Sequence, residues 1–252
     1  MPDVLVEVCL DSVESAAAAE QGGAQRVELC DNLVEGGTTP SAGMIAATRD
    51  AVSLGIMVMI RPRGGDFCYS ARELDVMGRD IRAARDRGAD GVVFGVLTPD
   101  GRVDEDVTSE LVELARPLST TFHRAFDVTR DPLEALDTLI LVGVDRILTS
   151  GQEASVVDGC DTIRSLQERA AGRIVVMPGC GITPVNVAQI VRETRATEIH
   201  VVGTKSVDSP MEHRNPRVFM GTEEGASEYV RTVTDVEVVR ALVTAASRPQ
   251  ST

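Results

Sequence analysis

Tryptophan is absent from the 252 residues, Lys205 is the sole lysine, and aromatic side chains make up 3%. No apolar run is long enough to span a bilayer. No positively charged start leads into an apolar stretch, so no secretory signal is expected. Positive charge is in short supply, with a formal net charge of -14. That balance argues against nucleic acid and against an anionic membrane surface, since both attract cations. The five cysteines form no CxxC pair, which disfavours a structural zinc site. Their odd number and irregular spacing fit reduced cytosolic thiols instead of a disulfide framework. There is no HExxH and no Ser/His/Asp ordering, so neither a zinc peptidase nor a serine hydrolase is supported.

What is present is alternation. Strand-like runs cover 4–9, 26–30, 56–61, 91–95, 119–123, 145–149, 174–177 and 198–202, with helical patterns between them. Ser70-x-x-Glu73 reads as a capping box. Asp131-Pro132 and Thr183-Pro184 each read as a cap followed by proline at the first helical position. Gly55, Gly88, Gly143 and Gly172 fall where helices should stop. Gly23-Ala24-Gln25-Arg26-Val27, Gly88-Ala89-Asp90-Gly91-Val92 and Gly143-Val144-Asp145-Arg146-Ile147 resemble one another and precede the second, fourth and sixth strands. Eight such units imply an α/β fold with a parallel sheet closed as a TIM (β/α)8 barrel, in a single domain. An open doubly wound sheet is the alternative, disfavoured because no Gly-rich dinucleotide fingerprint follows the first strand. Residues 1–202 are assigned to the barrel, 203–234 to an irregular segment over it, and 235–247 to a last helix capped by Thr234-x-x-Glu237. The irregular segment is long enough to suggest a functional role.

The even strands align at Val27, Val92, Ile147 and Ile199, which suit the helix-facing side. Glu28, Val93, Leu148 and His200 then point inward as one layer. Glu7-Val8-Cys9 recurs as Glu28-Leu29-Cys30. Alternation turns both carboxylates and both sulfurs inward. At matched heights on adjacent strands, Cys9 and Cys30 would stand about 5 Å apart at Cα, which suits a soft ion such as Cu(I). The bland alternative is a pair of small buried hydrophobes. Glu7 and Glu28 need partners if buried. They form a structural ion-pair network or, with His123, an acid/base constellation. Arg61, Arg63 and Arg124, with the Gly179-Cys180-Gly181 loop, suit an anionic ligand, because guanidinium forks and turn amides recognise carboxylate or phosphate.

These residues also carry a resemblance. Arg26-Val27-Glu28-Leu29-Cys30, Glu35-Gly36-Gly37-Thr38-Thr39-Pro40, the run from Ile60 to Phe67, Thr121-Phe122-His123-Arg124-Ala125-Phe126-Asp127 and Ser209-Pro210-Met211 with Arg214-Asn215 resemble the CutC family of copper homeostasis proteins, most closely its animal members. The resemblance implies a TIM barrel, a cytoplasmic location and a homo-oligomer, dimer or tetramer. It implies Cu(I) on Cys9 and Cys30. Cys180 departs from the more usual all-glycine loop. Two further readings stand beside copper binding: an enzyme acting on a small phosphorylated or carboxylated metabolite, and a non-catalytic oligomeric scaffold.

Overall fold

The computed structural model describes residues 4–215, 217–218, 220 and 227–247. Eight parallel strands alternate with helices. They are β1 (Leu5–Leu10), α1 (Val13–Gln21), β2 (Arg26–Leu29), α2 (Ala42–Ala51), β3 (Gly55–Met59), α3 (Ala71–Asp86), β4 (Gly91–Phe94) and α4 (Glu105–Ala115). There follow β5 (Ser119–Phe122), α5 (Pro132–Val142), β6 (Arg146–Thr149), α6 (Val156–Ala170), β7 (Val175–Pro178), α7 (Val187–Thr194) and β8 (Glu198–Val201). The sheet runs in sequence order from β1 to β7, and β8 lies on the other side of β1. A parallel bridge between Gly179 and His200 joins β7 to β8, so the sheet curls into a TIM barrel.

Local chemistry sets most helix starts. Side-chain oxygens of Ser12, Ser41, Ser70, Asp104, Asp131 and Ser155 accept first-turn amides. The Ser70/Glu73 capping box and the Asp131-Pro132 start form as the sequence predicts. Thr183-Pro184 does not: Asn186 Oδ1 first accepts the Thr183 amide at 2.7 Å, and α7 begins only at Val187. The side-chain acceptor closes a turn before a helix can propagate. Gly143 takes φ +79° as a left-handed helix end. Gly55 instead opens β3, because α2 has already ended at Ala51.

Two apolar layers result. Val6, Val8, Val27, Ile56, Val58, Val92, Ile147, Val176 and Ile199 are fully buried beneath the helices. Cys9, Cys30, Met57, Met59 and Val93 form a separate cluster inside the barrel.

The segment expected to be irregular contains an antiparallel ribbon, β9 (Thr204–Asp208) paired with β10 (Val230–Thr234). Most of its side chains are solvent-exposed or half-buried, so no apolar alternation marks it in the sequence. Within the 203–234 segment, residues 216, 219 and 221–226 lie outside the described residues. The ribbon leads to α8 (Val236–Ser247). Asp235, not Thr234, caps this helix by accepting the Glu237 and Val238 amides, while the Thr234 amide donates to Ser15 on α1.

Candidate functional site

The strand register stacks the interior in layers, each drawn from alternate strands. Arg26, Gly91, Arg146 and Glu198 form the floor. Above them come Glu7, Met57, Thr121 and Met177, then Glu28, Val93, Leu148 and His200, as the even-strand alignment predicts. Cys9, Met59, His123 and Gly179 lie at the mouth. Gly91 is a glycine because Met57 fills its place: a Cβ there would sit 2.3 Å from the Met57 Cε.

One expectation needs correction. Cys9 and Cys30 are not at matched heights. Cys9 pairs in register with Glu28, and Glu7 with Arg26, so the two acid-and-sulfur triplets are offset by two residues. Closing a barrel requires such a stagger between neighbouring strands. The side chains still converge. The sulfurs of Cys9 and Cys30 and a Glu28 carboxylate oxygen lie within 4.8 Å of one another.

An alternating chain of charges climbs from floor to mouth. Arg146 pairs with Glu198 (Nε–Oε2 2.5 Å), and Glu198 also pairs with Arg26 at 2.5 Å. Arg26 pairs with Glu7 at 2.5 Å, and Glu7 Oε1 lies 2.8 Å from His200 Nδ1. His200 Nε2 stands 3.8 Å from Glu28 Oε2, and the Cys30 sulfur lies 3.5 Å from that oxygen.

The charges set the protonation states. Burial opposes ionisation of Glu7, but the His200 hydrogen bond and the Arg26 cation outweigh it and hold the carboxyl down to about 2. Burial also opposes the His200 cation, which the surrounding Glu28, Cys9 and Glu7 groups nevertheless raise well above the ordinary imidazole range. Burial, then the Cys9 and Glu7 charges, push Glu28 well up. A hydrogen bond with Cys30, helped by His200 against burial, brings the Cys9 thiol down to about 5. Cys30 moves the other way, through the same hydrogen bond and its burial, and keeps its proton. Neutral pH therefore leaves a Cys9 thiolate beside a protonated Cys30 thiol. Glu28 Oε1 is buried with no hydrogen-bond partner among the described residues. Two sulfurs, one already ionised, and an unsatisfied carboxyl oxygen form a donor set that could hold Cu(I), with the thiols as the soft ligands.

The remaining sequence-derived candidates lie around this centre. Arg61 is buried, and its Nη1 donates to the Glu35 and Gly37 carbonyls (2.6 and 2.9 Å) and its Nη2 to the Gly65 carbonyl (3.0 Å). Arg63 pairs with Glu73 and Asp66 and donates to the Gly64, Asp66 and Cys68 carbonyls. Arg124 pairs with Asp127 at 2.7 Å and donates to Ser150 Oγ. Asp127 in turn accepts from Thr149 Oγ1 and the Ser150 and Gln152 amides, tying the β5 and β6 loops together. Cys180 and Gly181 both take φ +79°, and the Cys180 thiol donates to the Ala154 carbonyl. His123 is buried, and it is neither hydrogen-bonded nor ion-paired with Glu28 among the described residues. A groove of about 390 Å³ lies elsewhere, between the starts of α4 and α5, lined by Asp104, Glu105, Asp131 and Glu134 among others.

Sequence reasoning missed Arg26, Arg146 and Glu198. The signal was available: they stand one residue before Val27, Ile147 and Ile199, hence also inward, and both arginines occur inside the repeated glycine-led segments.

Fold and centre together define a class: a TIM barrel with a thiol, carboxylate and imidazole cluster on its axis, below the C-terminal ends of its strands. The CutC family profile matches residues 4–205, and the chain belongs to this family. The copper homeostasis protein cutC homolog of Mus musculus is 53% identical over 94% of this chain and 88% of its own length. The Homo sapiens homolog is 52% identical over 94% and 87%. The crystal structure of CutC from Streptococcus agalactiae superposes with a TM-score of 0.75 at 35% identity, covering 78% of this chain and 97% of that one.

Proposed function

We propose that this protein binds Cu(I) through Cys9 and Cys30 as part of copper homeostasis. The convergence of two sulfurs, one of them brought down to about 5, carries this reading. Thiolates are the ligands that select Cu(I), and a prepared thiolate removes the proton that otherwise competes with the ion. The names of the mouse and human relatives support the same role. Anaerobic competition against a Cu(I) chelator tests it. Cys9→Ser/Cys30→Ser should bind at least about 100-fold more weakly than wild type, about 2.7 kcal/mol. Equal affinity in the two proteins rejects the site. The same reading puts the protein in the reducing cytoplasm, where its five free cysteines stay reduced. It also makes the protein a dimer or tetramer, which light scattering on the purified chain measures.

A second reading rests on the opposed shifts of Glu28 and Cys9, since neighbouring groups pushed apart in pKa are suited to acid/base work. Glu28 would give a proton to a small anionic metabolite, Glu7 would hold His200 cationic, and His123 would orient the substrate. A screen of phosphorylated and carboxylated metabolites for turnover tests this, with Glu28→Gln as the inactive control.

A further inference from the structure

Arg61 differs from the other interior arginines. Arg26 and Arg146 each face a carboxylate at 2.5 Å. Arg61 is as buried as they are, at 6% exposure, and has no carboxylate partner among the described residues. Three loop carbonyls hold its two Nη groups and fix the plane of the guanidinium, but they carry no net charge. Its Nε–H is buried without an acceptor among the described residues. A buried cation with no counter-charge is costly, and proteins usually pair it.

Two more donors stand beside it. His123, 4% exposed, accepts the Ala125 amide on Nδ1 at 3.1 Å. Burial, and then the Arg61 charge, bring its pKa down to about 3, so the ring is neutral and carries its hydrogen on Nε2. That Nε2–H is also buried without a partner among the described residues. The Phe67 ring packs against both groups, 5.2 Å from the Arg61 guanidinium carbon and 5.0 Å from the His123 ring centre. The Tyr69 hydroxyl is a third buried polar group: Arg61 acts on it by its charge and a loose hydrogen bond, and among the described residues its O–H has no acceptor. One full positive charge and three unanswered donors therefore collect where β3 and β5 reach the barrel mouth. Water could accept from a single N–H but would leave the charge uncompensated.

We propose that Arg61 Nε, His123 Nε2 and the Tyr69 hydroxyl form an oxyanion-binding subsite that takes the carboxylate or phosphate group of a small ligand. It deepens the second reading above by naming the substrate's anchoring group, and it requires no copper. Arg63 and Arg124 are not part of it, because their guanidiniums already serve Glu73, Asp66 and Asp127.

The probes are acetate and, separately, inorganic phosphate, titrated into copper-free, uniformly 15N-labelled protein against chloride at equal ionic strength. The chain has only three histidines, so the His123 Nε2 signal is readily assigned. The His123 Nε2–H and Arg61 Nε–H resonances should shift together along one saturating curve in at least one arm, and the responding arm identifies the group bound. Arg61→Gln should abolish the response. Because that change also releases three loop carbonyls, Tyr69→Phe serves as the conservative variant and should weaken binding at least threefold. The subsite is overturned if neither resonance moves with either anion, or if Tyr69→Phe and Arg61→Gln both bind as wild type does. Saturable anion binding without turnover of any metabolite would keep the subsite and reject only the enzymatic reading.

Discussion

The floor and the mouth of the barrel are built from the same residue types, with opposite results. In the floor and the layer just above it, Arg146, Glu198, Arg26 and Glu7 alternate in sign, and each meets its neighbour at 2.5 Å. At and near the mouth, Glu28 Oε1, Arg61 Nε and His123 Nε2 are just as inaccessible to solvent and have no partner among the described residues. A closed ion-pair chain supports structure and leaves nothing for a ligand. Groups left open in the same dry interior are where binding can be strong, because low dielectric magnifies both the penalty and its relief. His200 joins the two regions, since it faces Glu7 on one side and Glu28 on the other.

Three measurements break or sharpen this contrast. The largest effect should come from Glu198→Ala, which strips Arg146 of its carboxylate and Arg26 of one of two. Urea denaturation should show a loss of about 3–5 kcal/mol, as for other broken buried pairs. A loss below about 1 kcal/mol, the size of a surface pair, would mean that the floor is not a closed network. Acid should act next. The Glu7 carboxyl titrates near 2 in the folded protein and near 4.5 when free. Its stabilisation is therefore complete above about pH 4.5 and lost as pH falls toward 2, a contribution on the order of 3 kcal/mol. Glu28, raised in the fold, stays protonated there and begins to ionise in the unfolded chain only near pH 4.5, so it opposes the Glu7 slope only at the top of that window, and His200 is charged in both states. Glu7→Gln should flatten the wild-type stability curve between these pH values. The smallest effect should be at the junction. His200→Gln removes a hydrogen bond and a positive charge from Cys9, whose thiol should rise from about 5 by at least about one unit, about 1.4 kcal/mol. Thiolate absorbance near 240 nm against pH follows this directly, and an unmoved midpoint would detach the mouth from the charge chain.

Legibility in the sequence followed periodicity. All eight barrel strands and the inward layer of Glu28, Val93, Leu148 and His200 could be read from alternation and from the repeated glycine-led segments. The β9–β10 ribbon could not, since an exposed hairpin carries no buried face to leave an apolar pattern. Arg26 and Arg146 lie inside the repeated glycine-led segments, and the sequence assigns them no partner. Nothing local shows that two arginines 120 positions apart share Glu198 across the barrel floor. The arginine-rich loop after β3 looked like a pair of anion clamps. Only the coordinates separate Arg63, occupied by Glu73 and Asp66, from Arg61, whose partners are uncharged carbonyls.

By itself the sequence determined which side chains face the barrel axis, because a two-residue period follows from strand geometry alone. It determined the starts of most helices, through caps that act over three or four residues. The tertiary structure decided the heights at which inward residues meet, since the stagger that closes the barrel paired Cys9 in register with Glu28 and not with Cys30. It also decided which charges are matched and which stay open, because partners in a barrel interior come from strands far apart in the chain, and electrostatics in a dry interior depends on distance in space.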